Sequence, residues 1–195
     1  LAGAMIQSCL LAGNSGGIAL ALDLEQGFAD RLFAAPVSRF AIVLGRLAGT
    51  AALGALSALY YVLIGLLFGV TFEEGLGGIA LMVLWATLAA IAFGSLAAAL
   101  ALRTGTASVV QGMFPIIFVI LFLSNAFFPA QLMLEPAATV AQYNPLSFVV
   151  DGIRDPVISA VSGEGAAKAL LSIAGFAALG FCASALALRR RLRHG

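Results

Sequence analysis

Residues able to do chemistry are scarce in this chain, and their positions exclude most reactions before any fold is considered. The one histidine, His194, stands next to the last residue in a basic tail. There is therefore no HExxH zinc pair, no serine–histidine couple and no imidazole proton relay. Cys9 and Cys182 fall singly within apolar runs, without the spacing of a metal site, and read as small hydrophobes. No GxxxxGK[ST] loop is present to cradle nucleotide phosphates. No Asp or Glu lies well inside an apolar run, whereas proton-driven carriers bury such groups in the bundle. No catalytic residue, metal ligand or bound cofactor is assigned, and an intramembrane enzyme would lack both nucleophile and base. If the protein moves something uphill, a partner must supply the energy.

The polar groups that do enter apolar runs are few. Asn14, Ser15, Gln111 and Asn125 are the candidates for lining a substrate path, with Asn14 and Ser15 preferred for their central position. The competing role for each is a hydrogen bond that glues one helix to another. Pro115 can kink its helix and open a cavity. GxxxG pairs at Gly13/Gly17, Gly45/Gly49 and Gly65/Gly69 allow close helix approach, but with 22 glycines in the chain the signal is weak.

The elements that must hold these residues follow from composition. Hydrophobic residues make up 62% of the 195, charged residues 10%, and mean hydropathy is +1.09. These are the proportions of an integral membrane protein. About 20 apolar residues span a bilayer as helix, and five runs qualify: 1–22, 41–70, 78–102, 107–128 and 169–188. None alternates polar with apolar as a membrane barrel strand does, so the fold class is all-α, a bundle of five transmembrane helices. A signal peptide in 1–22 is disfavoured by the missing basic start and the polar middle (Gln7, Ser8, Asn14, Ser15).

Positive charge orients the bundle. Arg31, Arg39, Arg46, Arg103 and the cluster Arg189, Arg190, Arg191 and Arg193 fall on one side; only Arg154 and Lys168 fall on the other. The first group marks the cytoplasmic face, and with it the C-terminus. Residue 1 then lies outside and the span count is odd. With no initiating methionine, this leads us to expect at least one further span before residue 1.

Two connections carry pattern. Residues 25–39 read as a short amphipathic helix along the cytoplasmic face: Phe28 and Leu32 share a face, extended by Leu24 and Ala35, while Asp30 and Arg31 project elsewhere and Pro36 ends the helix. That shape suits docking into a groove on a cytosolic protein, or a plain interfacial anchor. On the far side, the connection 129–168, with its helical segment 136–160, is too polar to span and too apolar for a solvated loop. Asn144 and Pro145 there make a helix start. Leu146, Val149, Val150 and Ile153 then recur at helical spacing opposite Asp151, Arg154 and Asp155. A shorter helix around 137–142 precedes it, so the segment reads as two re-entrant or interfacial helices.

These residues resemble a known family. Glu25-Gln26-Gly27, Asp30-Arg31-Leu32, Ala35-Pro36-Val37-Ser38-Arg39 and Leu44-Gly45-Arg46 are similar to the signature of type-2 permease subunits of ATP-binding-cassette exporters, the daunorubicin-resistance branch above all. Asn144-Pro145-Leu146-Ser147 followed by Val150-Asp151-Gly152-Ile153-Arg154 resembles that family's second signature, before its last span. Phe28 stands where many relatives have Thr, and Arg46 where many have Lys.

The resemblance implies a six-span subunit of which this chain covers span two onward. It implies a coupling helix whose Glu25, Gly27, Phe28, Asp30, Arg31, Leu32, Pro36 and Arg39 meet separate cytosolic ATPase subunits. It also implies an outer gate including Asn144, Pro145, Asp151 and Arg154. ATP and Mg would be held by the ATPase, not by this chain. A second permease copy, identical or paralogous, would complete the path in a prokaryotic cytoplasmic membrane, among membrane lipids and with no nucleic-acid partner. An apolar interior suits a small lipophilic or amphiphilic cargo such as a drug, antibiotic or lipid-like compound. The alternatives are a polysaccharide or lipid-linked glycan exporter, and a self-sufficient carrier or channel.

Overall fold

The computed structural model describes residues 1–28, 39–72, 74–128, 132–158 and 162–194. Among them are α1 (Ala2–Glu25), α2 (Arg39–Leu67), α3 (Gly75–Thr104), α4 (Ala107–Gln111), α5 (Met113–Phe122), α6 (Ala137–Tyr143), α7 (Pro145–Ile158) and α8 (Gly163–His194), with no strand among the described residues. The stretches Ala2–Glu25, Leu44–Leu67, Gly75–Thr104 and Gly163–Arg190 are long and apolar enough to cross a membrane.

The fourth expected span is shorter than the run 107–128 suggests. It is helical only over Ala107–Phe122 and breaks at Gly112. Pro115 accounts for the break: it has no N–H to return to the Gln111 carbonyl, so the ladder is interrupted there. Elsewhere most helix ends overrun the expected boundaries by a few residues, while α2 stops at Leu67, short of 70. α1 runs to Glu25 and stops at Gly27, whose φ of +68° ends the helix, with its N–H bonded to Leu24 O. Glu25 therefore belongs to α1 rather than to the start of a separate cytoplasmic helix. Gly105, at φ +66°, closes α3 in the same way through Ala101 O.

α3 is the central helix and packs against α1, α2, α7 and α8. Where it meets α1 its surface is rich in small residues, Ala90, Gly94 and Ala97 among them, and close approach explains why. A Cβ on Gly13 would come within 2.8 Å of Gly94 N and 2.9 Å of Ala90 O; one on Gly17 would meet Ala97. In lipid, where apolar burial no longer drives helices together, this contact is what holds α1 to α3. Of the three GxxxG pairs only Gly13/Gly17 lies in such an interface. Gly45 and Gly49 face open space, and Gly65 touches only side chains of Leu1 and Val70. Two polar contacts add to the packing: Ser8 Oγ donates to Tyr61 Oη at 3.2 Å, and Ser184 Oγ to Ser95 O at 3.0 Å.

Apolar clusters fill both ends. One gathers Leu20, Leu24, Leu47, Leu102, Ala107 and Ala187, bringing the ends of α1, α3 and α8 and the starts of α2 and α4 to a single arginine-rich end. The other gathers Met5, Ile6, Met82, Trp85, Leu121 and Leu146 toward the opposite end. Large exposed residues such as Leu53, Leu56, Leu63 and Leu179 leave the outer faces of α2 and α8 apolar, as a lipid-facing surface must be.

Candidate functional sites at the two ends of the bundle

At the arginine-rich end, Glu25 is the pivotal residue. The first N–H groups of a helix have no partner within it, and the N-cap Thr106 does not supply one to α4. Glu25 Oε1 does so from α1, accepting the Ala107 N–H at 2.7 Å. Its negative charge also complements the positive end of the α4–α5 unit. Two residues back, Asp23 pairs with Arg46 of α2, both partly exposed. The last turn of α1 is thus tied to two other helices just where the chain leaves it through Gln26, Gly27 and the half-exposed Phe28. Asp30, Arg31, Leu32 and Pro36 lie outside the described residues. Arg39 opens α2. The roles of Glu25 as a cap on a helix 82 residues away and of Arg46 as the partner of Asp23 are absent from the sequence pattern.

At the opposite end the structure draws together residues from both polar sets. Asn144 is extended and starts α7: its Oδ1 accepts the Leu146 N–H at 3.0 Å, with Pro145 as the first helical residue. Its Nδ2 meanwhile donates to Ile120 O of α5 at 3.1 Å. Arg154 donates to Asn125 O at 2.5 Å and Ala126 O at 3.4 Å, and lies 3.4 Å from Asp151 Oδ1. Asp151 also accepts from Asn125 Nδ2 at 2.7 Å, and Ser147 Oγ accepts the Asn125 N–H at 3.2 Å. Beneath this polar layer, Leu146, Val149, Val150 and Ile153 are fully buried. The amphipathic face of α7 is therefore docked on α3 and α8 rather than spread on a lipid surface. Gly152 permits it: a Cβ there would sit 2.7 Å from Ala169 Cβ, with Trp85 alongside.

Asp155, one turn beyond Asp151, stands by the first turn of α8, where a Cβ on Gly165 would be 3.0 Å from its Oδ2. Burial pushes its carboxyl above the ordinary range, the charge of Asp151 adds to this, and Arg154 opposes it.

The four path candidates do not form one line. Asn14 is buried, its Oδ1 without a hydrogen-bond partner among the described residues; Ser15 is exposed, its hydroxyl returned to Ala12 O at 2.8 Å. Gln111 is exposed at the α4–α5 break, and Asn125 belongs to the far polar cluster. An aromatic column was not anticipated. Phe114, Phe118, Phe122 and Phe127 follow one another along α5 and past its end, with ring centroids 4.7, 6.2 and 5.2 Å apart. The four-residue spacing of Phe114, Phe118 and Phe122 was legible in the sequence. Beside it, Ile120, Leu123, Val140, Tyr143 and Pro145 line an open groove of about 490 Å³.

Among the described residues no group of His, Cys, Asp and Glu is placed to hold a metal ion. What the two ends offer is mechanical rather than reactive: tied helix ends, small-residue contacts and an apolar outer groove. No curated protein and no solved structure matches the chain. The sequence model of one family, described as ABC-2 family transporter protein, matches residues 1–187. With all but the last few residues matched and a membrane-spanning helical bundle to go with them, the chain belongs to the ABC-2 family of transporter proteins.

Proposed function

We propose that this chain is the permease subunit of an ATP-driven exporter, moving a lipophilic or amphiphilic compound outward across a cytoplasmic membrane. Membership in the ABC-2 family supports a membrane component served by an ATPase in general. The observation that carries the mechanism is the Glu25–Ala107 hydrogen bond. Through it, a push on the segment that follows Gly27 acts on α1 and on the α4–α5 unit together. Residues 25–39 are then the coupling segment, ATP and Mg belong to the cytosolic partner, and closure of that partner tilts the tied helices to open a path shared with a second permease copy. The Asn144–Arg154 region forms the outer gate. The apolar groove at Leu123 and Tyr143, together with the phenylalanine column, favours an apolar or amphiphilic cargo.

The test is reconstitution with the cognate ATPase. Export in proteoliposomes should require both ATP and the partner, and Leu32→Asp should abolish association with the ATPase while leaving membrane insertion intact. Flux through the permease alone would instead indicate a self-sufficient carrier or channel, and retained co-purification of Leu32→Asp would remove the coupling role.

A further inference from the structure

The end of α5 needs donors that its own helix cannot provide. A helix finishes with carbonyl groups lacking intrahelical partners, and at membrane depth such groups must be satisfied by protein. The next backbone N–H groups, of Leu123 and Ser124, serve Val119 O and Leu121 O, and the outer helices supply the donors for Ile120 and for the turn that follows α5. Asn144 serves Ile120 O, and Arg154 serves Asn125 O and Ala126 O while also facing Asp151. The Asn125 side chain and N–H are in turn held by Asp151 and Ser147.

We infer that the end of α5, with the turn after it through Ala126, and helix α7 form a clasp that stays closed through the transport cycle, with Arg154 as the positioning residue that makes the outer helices follow that turn and α5 with it. Opening it would leave carbonyls and a half-buried carboxylate without partners at the same moment, where little water can replace them. It would also lift the fully buried face of α7, Leu146 and Ile153 included, off α3 and α8. Arg is suited to the position, because a planar fork can bridge carbonyls and a carboxylate together, and a single ammonium cannot. Motion entering at the Ala107 end of the broken span is thereby delivered to α7. That source of motion rests on the ATP-driven reading; the clasp itself does not.

The experiment uses the full chain in nanodiscs with its ATPase, carrying spin labels at Leu123→Cys and Ile158→Cys, both exposed positions, in a Cys182→Ala background. Pulsed dipolar spectroscopy should give the same distance distribution without nucleotide and with ATP trapped. In Arg154→Gln the distribution should broaden even without nucleotide, and cargo moved per ATP hydrolysed should fall roughly tenfold, the loss of about one charge-assisted hydrogen bond. Arg154→Lys should recover part of that ratio. A shift of the wild-type distance on ATP binding overturns the inference, as does an Arg154→Gln distribution identical to wild type. Should Arg154→Gln fail to accumulate, the wild-type comparison decides by itself. If no ATPase associates, the export reading fails, while the nucleotide-free comparison still tests the clasp.

Discussion

Glu25 Oε1 lies 2.7 Å from the Ala107 backbone nitrogen, so the last residue of α1 caps the first turn of a helix that begins 82 positions later. A charge that the sequence places simply at the edge of a span is in fact the joint between two spans.

Removing that joint should be measurable. Glu25→Gln keeps a weaker acceptor and Glu25→Ala keeps none, so stability to denaturation in detergent should fall by about 1 kcal/mol and about 2 kcal/mol respectively. If the joint also transmits ATPase motion, Glu25→Ala should lower cargo moved per ATP more than Glu25→Gln does. Equal stability of all three proteins would show that the contact contributes nothing.

Asp23 and Arg46 offer a second joint, between α1 and α2. Both side chains are partly exposed, so a double-mutant cycle with Asp23→Asn and Arg46→Gln should give a coupling of no more than about 1 kcal/mol, weakened by salt.

The glycine pairs separate cleanly by position. Gly13→Val or Gly17→Val would drive methyl groups into the α3 backbone, and either should cost about 3 kcal/mol or more, or prevent accumulation. Gly45→Val and Gly49→Val meet nothing within 4 Å and should remain within about 1 kcal/mol of wild type. Comparing membrane-inserted yield and detergent melting for the four variants checks both halves.

Asp155 makes stability depend on pH in an unusual direction. Its folded-state pKa is raised, so the folded form binds its proton more readily than the unfolded chain does. The ionised carboxyl therefore weighs against the fold above that raised pKa, and the cost is relieved as pH falls through it. Asp155→Asn should flatten this part of the melting profile as pH is lowered from neutral toward the carboxylate range. A wild-type profile that only declines over that range, unchanged by the substitution, would contradict the assignment.

Much of the architecture was legible because long apolar runs admit only one solution in a bilayer, a helix with its backbone satisfied internally. The ends were less legible. Asp23 and Glu25 look like the polar exit of a span at residue 22, yet α1 continues through them, since each finds a partner on another helix. The run 107–128 counts as a full span by composition, but Pro115 removes one rung and the helix stops at Phe122. Asn14 and Ser15 differ in surroundings that adjacency hides: neighbours in a helix point about 100° apart, and one is buried while the other is exposed. The outer segment was read more fully, because an Asn-Pro start and an apolar stripe are local signals. That its polar face would grip Asn125 required the fold. Residues 29–38, which hold Asp30, Arg31, Leu32 and Pro36 of the expected coupling set, lie outside the described part of the chain.

The broken span has a further effect on the surrounding membrane. From Ala107 to Phe122 the helix rises only about 24 Å at 1.5 Å per residue, against a hydrocarbon thickness of about 30 Å. Lipids beside α5 must shorten or tilt to match it, while those along α2 and α3 need not. A mismatch of that size would favour a thinner bilayer beside α5 than beside α2 and α3, so the conformational balance should respond to acyl-chain length in the host membrane.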